Sequence, residues 1–305
     1  MRKQPIEIRD LLTFKFPENL QYSPSGEYLA FQVAQADEKK NNYQRDVWLV
    51  RDGKAKRFTS LGNTSIVAWD DNETLILTRQ KEDDVPGVTT LYKMSVNGGE
   101  AQEWIKLPFP LLKLEKVEDG RYLALGMINA DDADAYKDSE KERKKKLEEK
   151  KKNADYQIVD EVPYWFNGMG YINKNRTALF DIHLGKKLEI KRVTGKTFVV
   201  DDLLVEDKKV YFAGISYERR MNLTNKIYSY NLNTQKVTPV FNNGGYEFDG
   251  LMLMKENLYA QTTDRKEYGI NETRNFYRVK KSSAPSILST LKVALVGPSS
   301  VMSVE

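Results

Sequence analysis

Few of the residue types that carry catalysis are spaced for it in this 305-residue chain. A serine triad needs its nucleophile on a strained turn, in α/β-hydrolases within Gly-x-Ser-x-Gly, and a histidine in hydrogen-bond reach. The nearest approach, Gly214-Ile215-Ser216-Tyr217-Glu218, lacks the closing glycine. The single histidine, His183, follows a strand-like run in Asp181-Ile182-His183-Leu184-Gly185. There a hydrogen-bonding turn residue is a better reading than a general base, and one histidine does not make a zinc site. Cysteine is absent, which removes disulfides, thiolate ligands and thiol nucleophiles. No phosphate-binding loop or dinucleotide fingerprint occurs. The carboxylate pairs Asp83-Asp84, Asp131-Asp132 and Asp201-Asp202 sit in polar, turn-like contexts. Neighbours along a strand face opposite sides, so such pairs suit paired acid–base work poorly. The reading assigns no catalytic residue, no metal and no cofactor.

What the sequence does specify is a repeated element. One aromatic strand recurs at Trp48, Tyr92, Phe180, Tyr228 and Tyr277, at spacings of 44, 88, 48 and 49 residues. The doubled interval reads as one large insertion inside the third copy. Upstream of each aromatic strand lies a turn followed by a short apolar run, as in Ser23-Pro24-Ser25-Gly26 before Glu27-Tyr28-Leu29-Ala30-Phe31 and Glu118-Asp119-Gly120 before Arg121-Tyr122-Leu123-Ala124-Leu125. Downstream, Asp52-Gly53-Lys54 and Asn97-Gly98-Gly99 precede closing strands. Tight turns between short Val-, Ile-, Tyr- and Phe-rich runs are what antiparallel hairpins require. Four strands per copy, repeated at this period, predict an all-β chain: a β-propeller of four-stranded antiparallel blades. Five blades are recognisable, and 291–297 reads as the first strand of a sixth. Residues 1–305 then form one propeller domain, truncated before ring closure, with strand edges open to self-association.

Composition bounds the partners. With 40% hydrophobic and 11% aromatic residues the chain has material for a core. Its net charge of +4 is concentrated between Lys137 and Lys152, where nine basic residues face five acidic ones; elsewhere the balance is 39 against 39. A groove following phosphates would need cations spread over a folded face with aromatics between them, so no nucleic-acid partner is expected. The segment 131–156, rich in Lys, Glu and Ala, predicts a charged helical or partly disordered insertion in blade three. Only Leu147, Tyr136 and a few alanines in it could bury anything. No apolar stretch approaches the roughly 20 residues of a membrane span and the N-terminus is polar, so a cytoplasmic chain with no membrane partner is expected.

The run Glu161-Val162-Pro163-Tyr164-Trp165-Phe166-Asn167-Gly168-Met169-Gly170-Tyr171, followed by Arg176-Thr177-Ala178-Leu179-Phe180, resembles a blade-three segment in the N-terminal propeller of the prolyl oligopeptidase family of serine peptidases. The acylaminoacyl-peptidase and dipeptidyl-peptidase-like branch is the nearest in appearance. The first-blade Tyr22-Ser23-Pro24-Ser25-Gly26 and second-blade Trp69-Asp70 fit the same pattern, and the resemblance runs along essentially the whole chain. It implies a non-catalytic propeller that caps a C-terminal α/β-hydrolase domain absent from this sequence and gates the entry of short peptides. It also implies that propeller loops could hold a peptide terminus. The local candidate is Tyr217-Glu218-Arg219-Arg220, where Glu218 could pair with an amine and Arg219 or Arg220 with a carboxylate; a solvated hairpin tip is the plainer reading. Two other classes stay open. A free-standing interaction scaffold would form a complete ring, and a glycoside-processing propeller would need inward-facing acids from several blades.

Overall fold

The computed structural model describes residues 5–81, 84–241, 244–279 and 286–289. The segment 291–297, read as the start of a sixth blade, and Asp83 lie outside them. Chain contacts divide the molecule into two compact units, residues 1–114 and 115–305, with the boundary inside a strand.

In the first unit, β1 (Lys15–Tyr22), β2 (Leu29–Asp37), β3 (Asn42–Arg51) and β4 (Lys54–Arg57) form one antiparallel sheet in chain order. The next sheet is built the same way from β5 (Thr64–Trp69), β6 (Thr74–Arg79), β7 (Thr89–Ser95) and β8 (Gln102–Leu107). Alternation in β2 puts Ala30 and Ala34 inward; Ala30 joins Tyr28, Val47, Leu49, Ile66, Trp69, Leu75 and Leu77 in a core between the two sheets. An amide side chain joins the sheets: Ile66 donates its N–H to Gln32 Oε1 at 2.7 Å, and Asn19 donates from Nδ2 to the Ile66 carbonyl at 2.8 Å.

Among the described residues the second unit holds three four-stranded sheets and one two-stranded sheet. β9 (Leu111–Glu118) and β10 (Arg121–Asn129) pair with β13 (Asn175–Leu184) and β14 (Leu188–Arg192), the chain leaving this sheet between β10 and β13. That excursion carries the helix α1 (Glu140–Lys152) and a hairpin, β11 (Trp165–Phe166) with β12 (Gly170–Tyr171), which forms a two-stranded sheet of its own. The fourth sheet is β15 (Phe198–Glu206), β16 (Lys209–Ser216), β17 (Lys226–Asn231) and β18 (Lys236–Phe241). The fifth is β19 (Glu247–Met254), β20 (Asn257–Thr263), β21 (Asn275–Arg278) and β22 (Ser286–Ser289). Asn225 repeats the device seen in the first unit, accepting from Phe248 N–H at 2.7 Å and donating to the Phe248 carbonyl at 2.9 Å.

All five recurring aromatics fall in the third strand of a blade, as the period requires. Four of the first strands, β1, β5, β15 and β19, share an irregularity. Their pairing slips by one residue between Glu18 and Gln21, Ile66 and Ala68, Val200 and Asp202, and Asp249 and Met252. Such bulges bend a strand and re-aim its side chains. Asn19 and Gly250 hold φ of 52° at theirs, a left-handed conformation suited to Asn and Gly. Opposite the β15 bulge, a Cβ on Gly214 would collide with the Val199 carbonyl, so this glycine serves strand packing rather than a nucleophile turn.

Two sequence readings are corrected here. Asp201 and Asp202 are not in a turn: they lie within β15, with Asp201 as the extra residue of its bulge. His183 is not past its strand but inside β13, opposite Arg121 on one side and Glu189 on the other. The charged insertion folds as α1, capped by Ser139, whose hydroxyl oxygen accepts from Glu142 N–H while the Glu142 carboxylate accepts from Ser139 N–H. None of its residues is buried. Lys146, held by Asp132 and Asp138 at 2.7 Å each, ties it down, and Tyr136 packs edge-on against Phe180 at 5.3 Å.

Candidate functional site

The excursion between β10 and β13 returns through a buried ion pair. Arg176, second residue of β13, is 1% exposed and clamps Glu161, whose side chain is fully buried, through Nη1 at 3.1 Å and Nη2 at 2.6 Å. A guanidinium with two parallel bonds to a carboxylate fixes orientation as well as charge. Its face lies on the ring of Tyr217 at 4.0 Å, and its buried Nε has no hydrogen-bond partner. Burial pushes the Tyr217 hydroxyl above its ordinary value.

This pair fastens the loop after β16 to the returning chain. Val162 donates its N–H to the Arg219 carbonyl at 2.8 Å and accepts from Met221 N–H at 2.9 Å, a short parallel bridge centred on Arg220. Glu218, Arg219 and Arg220, the candidate contact residues from sequence, are exposed and have no side-chain partner among the described residues. The loop is thus held by its backbone, leaving one carboxylate and two guanidinium groups presented to solvent. Beside it the hairpin exposes Tyr164, Trp165, Phe166, Met169 and Tyr171. Tyr171 stacks with Tyr164 at 6.5 Å and meets Trp165 edge-on at 5.0 Å. A cleft of about 650 Å³ runs between this hairpin and residues 154–159. Sequence reasoning found the charged loop but missed its anchor, because Glu161 and Arg176 lie 15 residues apart and only the fold brings them together.

A second polar cluster lies inside the same unit. Asp181 is fully buried and accepts from Arg121 at 2.7 and 3.1 Å and from the Tyr230 hydroxyl at 2.7 Å. His183 Nε2 stands 3.1 Å from Oδ1 of the same carboxylate. Burial alone would raise this carboxyl, but the bonds from Arg121 and Tyr230 outweigh it and hold it below its ordinary value. Burial, then Asp181, pushes the Tyr230 hydroxyl far upward. The carboxylate's oxygens are taken up by Arg121 and Tyr230, with His183 beside them at the edge of the cluster.

At the β15 bulge, Asp201 accepts from Asn225 Nδ2 at 2.7 Å. Its carboxyl is pushed up to about 6, first by desolvation and then by the nearby Asp249, Glu247 and Asp202 charges. The residue keeps access to solvent, which screens those neighbours and moderates the effect. A carboxyl raised in the folded state costs stability once it ionises, so the wild type loses stability as pH climbs from the ordinary carboxylate range through about 6. Asp201→Asn keeps an acceptor for Asn225 and removes the charge. Denaturant midpoints should therefore be higher for the variant at neutral pH and converge with wild type in acid; equal pH dependence of the two proteins would contradict this account. No group of three or more acidic or histidine side chains suited to a metal occurs among the described residues.

Serial four-stranded antiparallel sheets at this period define the chain as a β-propeller with five described blades. Among solved structures it is similar to the acylaminoacyl peptidase of Pyrococcus horikoshii, at 13% identity over 92% of this chain and 47% of that one, with a TM-score of 0.50. It is also similar to a prolyl endopeptidase, at 12% identity over 95% of this chain and 39% of that one, with a TM-score of 0.54. At such identities the likeness is one of fold, and the chain spans less than half the length of either structure. No protein-family model matches the chain, and no curated protein matches it by sequence.

Proposed function

We propose that this chain is the propeller part of a serine peptidase of the prolyl oligopeptidase kind, itself non-catalytic, and that it screens short peptides bound for an α/β-hydrolase domain elsewhere in the parent protein. The observation that carries the reading is the fold likeness to peptidases of which this chain spans less than half, together with the lack of a spaced nucleophile and base in the sequence. Screening by a propeller is a matter of size and of loop chemistry. In this reading Glu218, Arg219 and Arg220 meet the ends of a peptide, with the guanidinium groups suited to a carboxylate and Glu218 to an amine. Backbone anchoring of the loop supports that role, because a held loop loses less entropy on binding than a free one. A cytoplasmic location belongs to the same proposal.

A free-standing scaffold is the second reading, favoured by the exposed aromatic hairpin, since contiguous apolar surface marks interaction sites. Peptidase assays with short acylated and free-amine peptides, on the 305-residue chain and on the product of its full reading frame, separate the two. Activity in the longer product alone is expected; activity in neither, with a frame that ends near residue 305, would establish the scaffold instead.

A further inference from the structure

The aromatic hairpin is flanked by cations on both sides. Trp165, Phe166 and Met169, at and next to its turn, are 52%, 41% and 63% exposed. On one side, Ala154 and Tyr156 line the same cleft as Tyr164 and Tyr171, and the basic end of α1 stops two residues earlier, at Lys152. The turn at 153–155, in which Ala154 N–H donates to the Lys151 carbonyl, keeps the backbone of Lys151 and Lys152 within about 7 Å of Ala154 at the edge of the cleft. On the other side, Arg220 is bridged to Val162, two residues before Tyr164. Among the described residues none of these four cations has an ion-pair partner, whereas Asp160 and Glu161 between them are neutralised by Lys174 and Arg176. Asp155 in the cleft lining, Glu149 and Glu218 are the exposed acids nearby, against Lys150, Lys151, Lys152, Arg219 and Arg220, so the surface is aromatic at its centre with a net positive rim.

We propose that this face docks on an anionic lipid surface. Trp, Tyr and Phe are the side chains that settle at the boundary between headgroups and acyl chains, and clustered Lys and Arg are drawn to anionic headgroups. The hairpin belongs to no blade, so inserting its tip disturbs none of the four-stranded sheets. No helix among the described residues is long and apolar enough to cross a bilayer, and contact at the surface needs none.

Vesicle sedimentation of the 305-residue chain tests this, using phosphatidylcholine with and without phosphatidylglycerol. The chain should pellet with the anionic vesicles, and raised salt should release it. Lys150→Glu with Lys151→Glu and Lys152→Glu should weaken binding about a hundredfold, from roughly fivefold per lysine. Trp165→Ala with Phe166→Ala should weaken it by a similar factor at unchanged salt dependence. All five positions lie on the exposed side of the chain, so circular dichroism and the unfolding midpoint should match wild type. Failure to pellet with anionic vesicles, equal pelleting with neutral ones, or indifference to both variants would overturn the proposal and leave the face to a protein partner. The peptidase assay is independent of this outcome.

Discussion

Arg176→Ala should cost about 3–5 kcal/mol, because it strands the Glu161 carboxylate in a site closed to solvent. Removing one member of a buried pair is worse than removing both. Arg176→Met combined with Glu161→Gln should therefore recover much of the loss, since the amide oxygen of the new side chain would still accept from the Lys174 N–H that the carboxylate now holds. The damage should be local before it is global. Arg176 touches Glu161 and Tyr217, and through them holds the segment before the hairpin against the loop at 217–221. Hydrogen exchange in the single variant should speed up first in residues 158–172 and 217–221, while the strands of the fourth blade stay protected. Uniform loss of protection, or a cost below about 1 kcal/mol, typical of exposed pairs, would mean that the pair is not what fastens the insertion.

A comparable loss is expected from Asp181→Ala. Arg121 and the Tyr230 hydroxyl would both be left buried without their acceptor, at about 3–5 kcal/mol. For a unit of this size that lowers the unfolding midpoint by roughly 10 °C. The effect should depend on pH in a definite direction. Asp181 is held below its ordinary value when folded, so its contribution is complete at neutral pH and fades as acid protonates it. Wild type and variant should thus converge below the ordinary carboxylate range. A gap that persists in acid would assign the loss to packing around the methylene rather than to the charge.

Much of the fold was legible from sequence because a propeller repeats the same local demands. Trp48, Tyr92, Phe180, Tyr228 and Tyr277 sit at one structural position, and short polar turns between the strands set the strand lengths. The Lys- and Glu-rich insertion read as helical or partly disordered from its Lys, Glu and Ala content, and the structure forms the helix, closed by a capping box of Ser139 and Glu142. The candidate site was only half legible. Glu218, Arg219 and Arg220 stood out as a charged turn, but nothing local predicts that Arg176, inside a strand of apolar residues, pairs with Glu161 in the segment before the hairpin. Burial of a charge depends on a partner brought by tertiary structure, which no periodicity reports. Asp201 and Asp202 misled for a related reason: a bulge gives a strand the polar look of a turn.

Gln32 and Asn225 also bear on how an array of this kind can be lengthened or shortened. Each reaches out of its own sheet to grasp the backbone of the first strand of the next, at Ile66 and at Phe248. A blade excised at its strand boundaries would therefore leave behind either a clasp with nothing to hold or a backbone edge with no clasp. The exchangeable module is the sheet together with the incoming strand it grips, and grafts cut on that frame should join cleanly where grafts cut between sheets do not.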